Sequence, residues 1–140
     1  MRQLRFMLGW TAVVLLSMLI TPLARADDAF AGGWQVHCTP RSATVALGAD
    51  VFDDGFLFEN NQFSAQAYAA MGFTPSDYSV DSTGKFTATL TSTDRGTVVW
   101  KGRVGNGGIY GWITWTKPDG TIFKYTYTGS AVSSEASAMD

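Results

Sequence analysis

The chain contains one cysteine, Cys38, and one histidine, His37. A single thiol cannot close an internal disulfide, so a small domain that carries it must be held together by its core. One histidine beside one cysteine also excludes the usual zinc ligand sets. Helix formers are sparse, and nothing after Ala26 has the length and period of a long helix. No nucleophile elbow surrounds Ser64, Ser76 or Ser79. No phosphate loop is present either, because Gly105-Asn106-Gly107-Gly108 joins two strands and opens no helix. Basic residues are few, 10 Lys and Arg against 12 Asp and Glu. Arg2, Arg5 and Arg25 lie in the N-terminal segment, which leaves the rest acidic and without a basic cluster. That argues against nucleic acid or anionic lipid as a partner.

What is present begins with an apolar run from Phe6 to Leu23, preceded by Arg2 and Arg5 and followed by Ala24-Arg25-Ala26. Small residues at those two alanine positions are what a signal peptidase reads, so residues 1–26 are expected to be a signal peptide cleaved before Asp27. The product would be periplasmic or secreted, with no membrane partner after cleavage. An uncleaved anchor is the alternative, since the run approaches the roughly 20 residues a bilayer needs. The cleavage site directly after the run and the polar, turn-rich sequence beyond it favour export. No cysteine stands near Ala26 to carry a lipid.

The remainder is rich in glycine, threonine and aromatic residues, the composition of an all-β domain. Its clearest signal lies between Gly84 and Gly129, where residues 85–92, 96–104, 109–116 and 121–128 alternate apolar and polar side chains. Asp94-Arg95-Gly96, Asn106-Gly107-Gly108 and Lys117-Pro118-Asp119-Gly120 are turn sequences between them. Earlier strands are expected at Trp34 to Thr39, Thr44 to Leu47, Phe56 to Phe58, Gln62 to Tyr68 and Tyr78 to Val80. Ala29 to Gly33 reads as a flexible lead-in, Asp53-Asp54-Gly55 as a turn, and Thr74-Pro75-Ser76-Asp77 as a loop or helical turn. The run from Tyr68 to Met71 suits one helical turn, stopped by Gly72. One domain over 27–129 and a disordered tail over 130–140 complete the expectation. About eight short consecutive strands suit an antiparallel up-and-down barrel or a sandwich, and closure favours the barrel because it removes sticky edges.

Gly32-Gly33-Trp34 at the start of the first strand resembles the G-x-W opening of calycins, the group that includes lipocalins and avidins. Trp100-Lys101-Gly102, Gly111-Trp112, Trp115 and the closing Tyr125-Thr126-Tyr127-Thr128-Gly129 resemble the last strands of small avidin-like barrels. The chain is also similar in size and export to the small calycin inhibitors of metalloproteases. It is shorter than lipocalins and lacks the paired cysteines of both groups. The resemblance implies a calycin-like barrel that takes a small ligand inside, or an inhibitor that acts through its N-terminal segment, Asp27 to Ala31.

Adjacent residues on a strand point to opposite faces, so His37 and Cys38 form no dyad. Asp50, Asp53 and Asp54, like Asp77 and Asp81, lack calcium-loop spacing and suit turns. Nothing in the spacing of Asp54, Glu59 and Asp94 selects a glycosidase pair. No enzymatic activity, metal or cofactor is therefore expected. Phe56, Phe58, Phe63 and Phe86 share the apolar parity of their strands with Trp34, Trp100, Trp115, Phe123, Tyr125 and Tyr127. These rings either fill the barrel or line a mouth that binds a small apolar or aromatic ligand, for which the last six are the candidate contacts. Tyr110 and Trp112 take the opposite parity and form a candidate outer contact for a protein or a carbohydrate.

Overall fold

The alternating pattern resolves into eight antiparallel strands in a computed structural model that describes residues 29–132. They are β1 (Gly32–Pro40), β2 (Phe52–Glu59), β3 (Gln62–Ala65), β4 (Ser76–Val80), β5 (Phe86–Ser92), β6 (Gly96–Gly105), β7 (Gly108–Thr116) and β8 (Ile122–Ala131). Each strand pairs with the next, and β8 returns to β1, with Trp34 opposite Ala131 and Pro40 opposite Tyr125. The result is a closed up-and-down barrel, whose general shape is consistent with a calycin-like one. Hairpin turns explain the tight connections: Asn60 and Asn61 (φ 55° and 62°) join β2 to β3, and Asn106 and Gly107 (φ 54° and 78°) join β6 to β7. Left-handed pairs of this kind match the twist of the flanking strands.

Four expected boundaries move. The segment expected as a strand at Thr44 to Leu47 is instead a helical turn, α1 (Ser42–Val45). Buried Thr44 explains the change, because its hydroxyl accepts the Lys124 amide hydrogen at 2.9 Å and ties the turn to β8. Asp53-Asp54-Gly55 is no turn but the middle of β2, with Asp53 opposite His37 and Asp54 opposite Val36. The strand expected over Gln62 to Tyr68 ends at Ala65, where the chain enters a second helical turn, α2 (Gln66–Ala69), that Gly72 (φ 100°) stops. Ser76 and Asp77, read as loop, open β4.

At the ends, β8 runs past Gly129 to Ala131, and the Val132 amide donates to the Gly33 carbonyl at 2.9 Å, where a tail was expected. Phe30, read as part of a flexible lead-in, is buried against Phe58 and Phe86. The expected signal peptide, and the tail from residue 133 on, lie outside the described residues. No helix among the described residues is long and apolar enough to cross a membrane.

The inward side chains fill the barrel. Ring contacts run from Phe30 to Phe86, Phe63, Trp100, Tyr68, Trp115 and Phe123, with centroid separations of 5.1, 5.7, 5.1, 4.9, 5.8 and 5.9 Å. Edge-on and tilted aromatic pairs of this kind add about 0.5–1.5 kcal/mol each beyond their area burial. They stand where disulfides would stand in a cysteine-rich domain of this size.

Candidate functional site

The six inward candidates do not form one pocket. Trp34 lies at one end, its indole N–H donating to the Phe30 carbonyl at 2.8 Å. Trp100 is 0% exposed in the middle of the stack. Tyr127 lies against a wall made by Gly102 and Gly111, which face each other across β6 and β7, and its hydroxyl donates to the Lys101 carbonyl at 3.0 Å. Only Trp115, Phe123 and Tyr125 meet, at the opposite end from Trp34, with Trp115 to Phe123 at 5.9 Å and Phe123 to Tyr125 at 6.5 Å. Trp115 and Phe123 are half-buried there, and the Lys117 ammonium lies 3.6 Å from the Phe123 ring centroid and 4.7 Å from that of Trp115. The Trp115 indole N–H donates to the Arg95 carbonyl at 2.7 Å, which fixes the ring at the rim.

Two polar groups are buried beside the rings. Cys38 is inward, and burial, reinforced by the negative charges of Asp54 and Asp53, pushes its thiol up to about 12. Such a thiol is no nucleophile at neutral pH. Asp54 is 3% exposed and shares the parity of Phe56 and Phe58. One carboxylate oxygen accepts the amide hydrogens of Gly55 and Ala67, both at 2.8 Å, so β2 caps the first turn of α2 in place of Ala65, which has no capping side chain. The other oxygen has no partner, and neither has the Trp100 indole N–H. Burial raises the Asp54 pKa against the opposing amide bonds. Sequence reading missed Phe30, Asp54, Tyr68 and Phe73 as core. Only Asp54 left a signal, an aspartate in phase with Phe52, Phe56 and Phe58.

Outside, His37 and Asp53 form an exposed cross-strand pair at 2.7 Å. Among the described residues, no group of three or more His, Cys, Asp or Glu side chains is placed to hold a metal. β3 pairs with β4 only at Gln62 and Phe63, and the surface over β2 and β3 is furrowed. A depression of about 340 Å³ crosses Gly33, Gly55, Leu57, Ser64 and Ala69, and one of about 240 Å³ continues it past Asn60 and Pro75.

Among the described residues, the largest rings presented to solvent are on β7: Tyr110 is 44% and Trp112 42% exposed. Their opposite parity places them on the outer wall, as expected. Lys101 on β6 and Thr126 on β8 flank Trp112, while Arg103 and Thr128 flank Tyr110. The patch of six strand residues is thus two rings flanked by two cations and two threonines. No protein-family model matches this chain, and no curated protein matches it.

Proposed function

We propose that this is an exported, non-enzymatic binding module that engages a protein partner through the outer face of β6–β8, centred on Tyr110 and Trp112. The observation that carries the reading is the contrast between the two sides of one wall. Inward aromatics are consumed by packing from Phe30 to Phe123, while two large rings on β7 stay open to solvent. Tyrosine, tryptophan and arginine are the residues that dominate contact energies at protein interfaces, and all three stand together here. Kinship with calycins and export by the N-terminal segment belong to the same proposal. An inhibitor that inserts its N-terminus fits less well, because Phe30 is spent in the chain's own barrel.

A second reading keeps the ligand inside, and one observation favours it: Trp115 and Phe123 are half-buried at a mouth covered by the flexible Lys117 side chain. A small aromatic or apolar molecule would take the place of that ammonium. Photo-cross-linking in the exporting cell separates the readings. A photoreactive residue at position 112 should give a discrete protein adduct, and one at position 89, outward on β5, should not. Equal labelling from both positions, or none from 112, would remove the outer-face reading.

A further inference from the structure

We propose that the partner of the β6–β8 face is an extended acidic polypeptide segment with carboxylates at alternate residues. The proposal rests on the outer-face reading and names the chemistry of its ligand. Charge is the first argument. No outward position of β5, β6, β7 or β8 holds an aspartate or glutamate, whereas Lys101, Arg103 and Lys124 are there. The outward ionisable residues of β2 and β4 are Asp53, Glu59 and Asp77, with no cation among them. The barrel is therefore polarised across its diameter, and a field of one sign selects a partner of the other. Among the described residues neither Lys101 nor Lys124 is in an ion pair, so both ammonium groups are available. Arg103 is held at the margin of the face, donating from Nη2 to the Thr83 hydroxyl at 3.1 Å.

Spacing is the second argument. Arg103 stands opposite Tyr110, and Lys101 stands opposite Trp112. A cation-and-ring pair thus recurs every two residues along the wall, about 6.8 Å apart. An extended polypeptide presents alternate side chains on one face at that same repeat. Each carboxylate can meet a cation while the adjoining backbone and aliphatic stem lie on a ring. Closure of the barrel matters too, because it leaves no free edge for an added strand and makes side chains carry the binding. The hydroxyls of Thr126 and Thr128 line the far flank and offer donors to the same carboxylates.

The test titrates the exported protein with a synthetic peptide in which glutamate alternates with threonine, and with a block isomer of the same composition. Tryptophan fluorescence is the readout, with Trp112→Phe as the blank. The alternating peptide should bind, the block isomer should bind about tenfold more weakly, and added salt should weaken both. Lys101→Glu with Lys124→Glu should lower affinity about tenfold or more without moving the melting temperature, as both side chains are exposed. Equal affinity for the isomers, no binding of either, or indifference to the charge reversals would overturn the proposal. Tighter binding of polygalacturonate would do so in favour of an acidic glycan. Self-association by sedimentation that Lys101→Glu abolishes would do so in favour of a second copy seated by its β2–β4 side. Cross-links from position 112 without peptide binding would leave the face standing and remove only the acidic ligand. Loss of both would remove the face as well.

Discussion

Gly111→Ala adds one methyl group and should cost about 2–4 kcal/mol of stability. The register explains why. Gly111 on β7 faces Gly102 on β6 and Tyr127 on β8. A Cβ at 111 would overlap the Lys101 carbonyl oxygen and come within 2.6 Å of both the Gly102 Cα and the Tyr127 hydroxyl oxygen. Two of those three atoms are backbone, so relief requires β6 itself to shift. Overpacking of this kind costs about 1–3 kcal/mol. Displacing Tyr127 also breaks its 3.0 Å bond to the Lys101 carbonyl, worth about 1 kcal/mol. In a domain of about 100 residues each kcal/mol moves the melting temperature by about 4–8 °C, so a fall of about 10–30 °C is expected in a thermal melt followed by near-UV circular dichroism. Gly105→Ala is the control, because no atom lies within 4 Å of a Cβ there. It should stay within about 0.5 kcal/mol of the parent. Tyr127→Phe removes only the hydroxyl, and Gly111→Ala should cost less in that background than alone. Equal midpoints for Gly111→Ala and Gly105→Ala would refute the glycine wall.

Cys38, with its thiol pushed up to about 12 by burial, should react with a thiol reagent at pH 8 only as fast as the protein unfolds, and rapid labelling of the native protein would contradict its place in the core. Asp54 has a folded pKa raised by burial, so its contribution is complete below the unfolded value of about 3.9 and is lost as pH rises through the folded one. Urea melts from pH 4 to 8 should therefore show Asp54→Asn gaining on the parent with rising pH, while Asp54→Ala, which also removes the α2 cap, should lie about 1–2 kcal/mol below Asp54→Asn at every pH. Trp100→Ala should cost about 3–5 kcal/mol as a fully enclosed ring, and half-buried Trp115→Ala clearly less. The reverse order would place the interior site at Trp100.

The sheet from β5 to β8 was legible because its strands alternate with little interruption and each is joined to the next by a turn that announces itself. Asn106-Gly107 can serve as a hairpin turn and little else. The β1–β4 half was harder for a physical reason: its decisive contacts are tertiary. Asp53-Asp54-Gly55 has turn chemistry in isolation, yet Asp54 is recruited into β2 by the Ala67 amide of α2, a partner 13 residues away. Thr44 reads as strand by propensity and is held in a helical turn by a bond to Lys124, 80 residues on. The parity of Tyr110 and Trp112 was visible because it depends only on local alternation. Their cationic flanks emerge only when β6 and β7 are paired across the Asn106-Gly107 turn, which sets Lys101 opposite Trp112 and Arg103 opposite Tyr110.

An eight-stranded barrel has an interior just large enough either to be filled by side chains or to hold one small ligand, so strand count alone leaves function open. Side-chain volume decides between the two. Here β2 sends Phe52, Asp54, Phe56 and Phe58 to the inner face, β3 adds Phe63, β5 Phe86, β6 Trp100, and the lead-in contributes Phe30. With so many rings directed inward, space must be recovered somewhere, and Gly102 and Gly111 recover it on the wall where Tyr127 lies. A hollow barrel would have no need of that concession. The same glycines leave Tyr110, Trp112, Lys101 and Arg103 unaffected, because those residues point the other way from the same strands. The inner faces of β6 and β7 are thus committed to packing and the outer faces are free to vary, which is the physical reason to look for recognition on the outside.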